Sequence, residues 1–145
     1  MKELLTLFLG ILIMTQPITA QIKEVTIEVN NIDLKRGGNV IVMIFSKEGF
    51  PKKHDKALVS QTKIADSEVL KFEFNLDLDE MAVKVLHDED MDGKVTKNWS
   101  GIYPKEGLGF TNKQKVSFTG PPKYKKSMVT KEQYKNGLNI SVIYP

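Results

Sequence analysis

The chain has 145 residues, no cysteine and a formal charge of +3. So mild a positive balance excludes a dedicated nucleic-acid binder, which needs clustered basic surface to meet the phosphates. The lack of cysteine excludes a disulfide scaffold and leaves the core, with or without a metal, to hold the fold.

The first twenty residues read as an export signal. Lys2 supplies the positive start, Leu4 to Met14 is apolar, Pro17 breaks the run, and Ile18-Thr19-Ala20 offers a cleavage site before Gln21. The apolar run is too short for a comfortable permanent span. The expected organisation is therefore a signal peptide over 1–20 and a single β-sandwich domain over 21–145. That domain is expected to be periplasmic or extracellular, with no membrane span once the leader is removed. Losing Lys2 and Glu3 together leaves the charge at +3.

Residues 22–31 alternate, with Val25, Ile27 and Val29 facing one way, and predict a half-buried strand. Gly37 and Gly38 form a turn that needs positive φ. The unbroken apolar run 40–45 (VIVMIF) predicts a strand covered on both faces. A polar loop over Ser46 to Lys56 and a weak edge strand over 57–64 follow. Residues 69–76 alternate again, with Leu70, Phe72, Phe74 and Leu76 inward. Residues 81–86 (MAVKVL) form the strand that leads to His87. A long loop runs from His87 to Phe110. Val116 and Phe118 mark a further strand, stopped at Gly120-Pro121-Pro122 because proline cannot donate to a ladder.

The segment 127–143 admits two readings. Asn136-Gly137 is a strong hairpin signal, and Leu138, Ile140, Val142 and Tyr144 alternate after it. Thr130 and Gln133 have the spacing of a helical capping box. The hairpin is preferred because the segment lacks a helical apolar stripe. Seven to eight short strands with almost no helix predict an all-β fold: an antiparallel β-sandwich, immunoglobulin-like or transthyretin-like. A small closed barrel is the alternative.

The loop holds the chemistry. Asp88-Glu89-Asp90-Met91-Asp92-Gly93 has the D-x-D-x-D-G spacing of calcium loops, in which alternate side chains on a curving backbone point inward together. Lys94 follows and offers only its carbonyl. Thr96, at the ninth position, offers a hydroxyl or a bridging water. Trp99 stands at the twelfth position, where an EF-hand requires a bidentate Glu, so the remaining oxygens must come from Asn98 and Glu106. The candidate metal set is thus Asp88, Asp90, Asp92, Lys94, Thr96, Asn98 and Glu106, with calcium as the expected ion and no other cofactor. The alternative is an acidic turn that caps its own amides.

Trp99, Tyr103, Phe110 and His87 form a candidate ligand-binding set for a small molecule, a glycan or a partner protein. Loop aromatics that merely cover the open end of a sandwich are the alternative. His87 reads first as a histidine bonded to loop backbone and second as a ligand or base. His54 lies in a lysine-rich loop with only Asp55 as an acid nearby. Glu106 reads first as an acceptor for loop amides and second as a general acid of a hydrolase. No nucleophile motif or paired-carboxylate arrangement is visible, so a non-enzymatic module is expected.

Over these residues the chain resembles an exported bacterial family, domain-of-unknown-function family 2141. The resemblance rests on His87-Asp88, Asp90, Asp92-Gly93-Lys94, Asn98, Gly101, Pro104, Glu106-Gly107, Gly109-Phe110 and Asn112. Asp90 and Asp92 stand where the family often has Asn, which makes this loop more anionic. Thr96 stands where the family usually has Asp, and Thr111 replaces Ser. The resemblance implies a secreted or periplasmic β-sandwich of unassigned activity and carries no catalytic residues across.

Overall fold

The computed structural model describes residues 23–145, so the expected leader over 1–20 lies outside the described part. Among the described residues there are eight strands: β1 (Glu24–Asn30), β2 (Asn39–Phe45), β3 (Val59–Ile64), β4 (Leu70–Asn75), β5 (Glu80–Asp88), β6 (Gly107–Phe110), β7 (Val129–Thr130) and β8 (Leu138–Ser141). They form two sheets. One has the order β4-β1-β8; the other runs β3-β2-β5-β6, with β7 paired to the start of β5. Among the described residues, no helix is long and apolar enough to cross a membrane.

The alternating segments fold as their pattern requires. Val25, Ile27 and Val29 of β1 and Phe72 and Phe74 of β4 are buried. They pack on Val40, Val42 and Ile44 of β2 and on Met81, Val83 and Val85 of β5. This apolar layer between two sheets is the main core of the sandwich. β2 is covered on both faces, as its unbroken apolar run demands. Its other face sends Met43 and Phe45 into a second cluster with Leu86, Leu108 and Phe110, roofed by Phe50, Val95 and Val116 from the loops. The strand β5 therefore has an inner face (Met81, Val83, Val85, His87) and an outer face (Ala82, Lys84, Leu86, Asp88), and loops bury the outer one.

At one edge the sheets are joined through backbone: Leu108 and Ile143 exchange N–H···O bonds of 3.0 and 2.8 Å. At the other edge β3 and β4 belong to different sheets. Among the described residues side chains cross there, Gln61 Nε2 donating to the Glu73 carbonyl at 2.6 Å and Lys63 Nζ to the Lys71 carbonyl at 2.6 Å.

Four expectations are corrected. Gly107–Phe110 is a strand rather than the end of a loop, paired antiparallel with β5. Its glycines look like loop residues, but they face the returning chain. A Cβ on Gly107 would lie 2.5 Å from Val142 Cγ1, and one on Gly109 would lie 2.9 Å from the Ser141 carbonyl. Val116 and Phe118 do not form a strand. The segment makes only an isolated bridge between Ser117 and Gly120, and Phe118 is 92 % exposed.

The expected hairpin over 127–143 is also replaced. After the single turn α1 (Tyr124–Ser127), the Thr130 and Gln133 capping box forms and starts the single turn α2 (Lys131–Tyr134), whose Tyr134 is buried with its hydroxyl bonded to the Leu78 backbone. Gly137, at φ +96°, turns the chain out of α2 and into β8. The two arms thus join different sheets, β7 on β5 and β8 on β1. Lastly, β8 runs parallel to β1, the one exception to an otherwise antiparallel pattern.

Candidate metal centre

Asp88 ends the outer face of β5, and the acidic turn begins there. Asp88, Asp90 and Glu106 each place a carboxylate oxygen within 4.8 Å of the others. Asp88 and Glu106 are buried at 1 % and 2 % exposure. The turn wraps around Asp88: its Oδ1 accepts from the Asp92 amide at 3.2 Å and its Oδ2 from the Gly93 amide at 2.8 Å. Gly93, at φ +74°, makes that curvature accessible. Asp90 Oδ2 accepts from the Thr96 hydroxyl at 2.9 Å.

Glu106 closes the loop from the other side. One oxygen accepts from the Glu89 amide at 3.0 Å and the other from the Thr96 amide at 2.8 Å, so one carboxylate clasps both ends of the turn. This is the amide-accepting role read first for it from the sequence. Arg36 adds a brace: it donates to Glu89 Oε1 at 2.7 Å and lies 4.5 Å over the Tyr144 ring. Gly38 is held against the same strand end, where a Cβ would lie 2.2 Å from the Asp88 carbonyl.

The electrostatics follow from crowding. Burial pushes the Asp88 carboxyl above its usual range, with the Gly93 amide opposing. Burial raises Glu106 as well, against the Thr96 and Glu89 amides, and the charges of Asp90 and Asp88 add to the rise. The Thr96 hydroxyl instead holds Asp90 below the ordinary carboxylate range. The donors are carboxylates and one hydroxyl, all hard oxygens, which suits calcium or magnesium and not a soft metal. Each carboxylate oxygen carries more than one lone pair, so an amide bond does not exhaust it.

The other candidates fall elsewhere. Asp92 turns back on its own loop, Oδ1 accepting from the Lys94 amide at 2.7 Å. Asn98 Oδ1 accepts from the Ser100 hydroxyl at 2.6 Å and the Tyr103 amide at 3.4 Å in a small hairpin bridged by Lys97 and Pro104. His87 is fully buried on the inner face of β5, the side opposite Asp88. Its Nε2 lies 2.6 Å from the Gly37 carbonyl, which can only accept, so Nε2 carries the proton. Its Nδ1 then accepts from the Tyr144 hydroxyl at 2.7 Å, and that oxygen accepts from the Asp33 amide at 2.8 Å. Both ring nitrogens are therefore used within the fold.

The aromatic set does not converge. Trp99, at the tip of the small hairpin, is 99 % exposed; Tyr103 is 39 % exposed; Phe110 is buried edge-on to Phe50 at 6.2 Å. The large concavity lies beside them instead. It is a cleft of about 780 Å³ on the outer face of the β2-β5-β6 sheet, with Phe110 and Leu108 in its wall and neither Trp99 nor Tyr103. Lys84 and His54 also line it, and the sequence had singled out neither as a site residue. The available signal was a lysine inside the apolar run MAVKVL, a charge where the pattern expects none.

A family model described as "Uncharacterized protein conserved in bacteria (DUF2141)" matches residues 27–137. The chain belongs to that family. The match runs from the middle of β1 through α2 and includes every residue of the acidic turn, Glu106 and β6. No curated protein and no solved structure matches the DUF2141 chain.

Proposed function

We propose that this DUF2141 chain is an exported, non-enzymatic binding module whose acidic loop takes up calcium and which engages a ligand or partner at its loop end. The convergence of Asp88, Asp90 and Glu106 within 4.8 Å carries the metal half of the reading. Their carboxylates, with the Thr96 hydroxyl, would form the protein part of a flexible oxygen shell. The ion would offset the repulsion among three close carboxylates, two of them buried. It would thereby stiffen the turn that holds the small hairpin and roofs the second cluster. A site in an extracellular module of this type binds with Kd on the order of 10⁻⁴ to 10⁻³ M.

The non-enzymatic half is supported by how the polar groups are spent. His87 points to the inner face with both nitrogens engaged, and each Glu106 oxygen already accepts a backbone amide. The test is a thermal melt in millimolar calcium and in EGTA, paired with metal analysis of the purified protein. A lower midpoint in EGTA, abolished in Glu106→Gln, is the expected result. Identical midpoints and no calcium in the metal analysis would remove the metal from the proposal.

A further inference from the structure

The outer face of β5 carries a cation that the metal centre does not use. Lys84 is 4 % exposed. Its Nζ lies 2.9 Å from the Pro51 carbonyl and 2.7 Å from His54 Nε2. Among the described residues no carboxylate pairs with it. His54 Nδ1 lies 3.0 Å from the Gly93 carbonyl and so carries the ring proton, which leaves Nε2 to accept from Lys84. The histidine stays neutral: burial lowers its pKa first, and the Lys84 charge lowers it further. An ammonium has three N–H groups, and two are placed. Buried charges are ordinarily compensated by an opposite charge, and here the counter-charge is missing.

The cleft at Lys84 is shaped for something that brings that charge. Val95, Leu108, Phe110 and Val116 give it an apolar wall. Lys52, Lys53, Lys94 and Lys97 stand around it, outnumbering Asp55 and Asp92. Its volume of about 780 Å³ lies in the range of sites for small organic ligands. A neutral apolar ligand would bury Lys84 further without compensating it. A bare inorganic anion would leave the apolar wall wet.

We infer that this cleft binds a small amphipathic monoanion, with its carboxylate or sulfonate on Lys84 and its apolar body against Leu108, Phe110, Val95 and Val116. The inference deepens the binding half of the function proposed above and rests on it. It also ties that half to the acidic turn. Gly93 donates its amide to Asp88 and offers its carbonyl to His54, so the ligand's anchor and the metal loop share one residue.

The test uses two fluorescent probes with the same aromatic body at neutral pH. 8-Anilinonaphthalene-1-sulfonate carries the anion, and N-phenyl-1-naphthylamine does not. The folded protein should bind the sulfonate at one site at least tenfold more tightly than the neutral probe. Lys84→Met should abolish that preference by weakening the sulfonate alone. The exposed pair Lys53→Glu and Lys97→Glu, which leaves the packed residues in place, should weaken the sulfonate several-fold and cover the case in which Lys84→Met does not fold. Equal affinity for both probes, a preference that survives in a folded Lys84→Met, or a preference undiminished in the double Glu variant would overturn the inference. Each titration is run in calcium and in EGTA. No preference in either medium, beside a calcium-dependent melt, sinks the ligand and leaves the metal. A preference in both media, beside a melt indifferent to calcium, sinks the metal and leaves the ligand.

Discussion

The two faces of β5 bury polar groups in opposite ways. On the inner face His87 sits among Met81, Val83 and Val85, and both of its nitrogens have partners. That is a satisfied polar group, and its job is structural. On the outer face Lys84 and Asp88 are equally buried, yet Lys84 has no counter-ion, and Asp88 crowds against two other carboxylates. One strand thus shows both solutions at a spacing of one residue. Incompletely compensated buried charges cluster at sites that bind something, and the completing species proposed here are a cation at Asp88 and an anion at Lys84.

The comparison breaks most sharply if the inner face proves dispensable. Met81 is fully buried between the sheets, so Met81→Ala should lower unfolding stability by about 2–5 kcal/mol in a urea titration. It should leave the calcium response of the melt unchanged, because the residue touches only the inner layer.

Lys84 should show the reverse sign. Burial lowers its pKa from 10.5 to about 8. Below pH 8 the native state must hold a charged amine that the unfolded chain leaves in water, a cost of about 3 kcal/mol by the usual conversion. Between pH 8 and 10.5 the native amine is neutral while the unfolded one is still protonated. The unfolded state then binds more protons, and stability rises with pH across that window. Lys84→Met should therefore be more stable than the wild type at pH 7. The gain is about 2 kcal/mol, once about 1 kcal/mol is allowed for the lost hydrogen bonds. The gap should close as pH approaches 10.5. A Met variant that is less stable at pH 7 would mean that Lys84 is already compensated within the fold. The smallest effect is that of the proposed metal: at ~1 mM calcium and a Kd of ~0.1 mM a bound ion would add roughly 1.4 kcal/mol, which EGTA should remove.

Most of the sandwich was legible because β1, β4 and the inner face of β5 alternate cleanly, and because β2 is apolar throughout. The strand β6 was hidden. Gly107 and Gly109 are there to let Val142, Tyr144 and Ser141 pass close, a tertiary demand that looks like a loop in one dimension. At 127–143 two local signals competed. The capping box prevailed because Tyr134 gains a buried place and a bond to the Leu78 backbone, which a hairpin at Asn136-Gly137 would forfeit.

The candidate site was legible in part. Of the three aspartates that the spacing singled out, Asp88 and Asp90 come together; Glu106, named only as an available oxygen outside the spacing, joins them. Asp92 instead follows the alternative reading, an acidic turn that caps its own amides, and Asn98 turns to Ser100 and Tyr103. Lys84 and His54 are 30 residues apart, and only the β2–β5 register and the fold of the loop before His54 bring them into contact. Trp99, the chain's single tryptophan, stands outside the cleft, in solvent.

The central claim is that the outer face of β5 is completed from outside the chain, and the acidic turn is the place to look. A high-resolution crystal structure grown in millimolar calcium tests it most directly. The account predicts one ion among Asp88, Asp90 and Glu106, at the 2.3–2.6 Å oxygen distances of calcium. Electron density showing the three carboxylates bonded only to their own loop amides, with no ion among them, would contradict it.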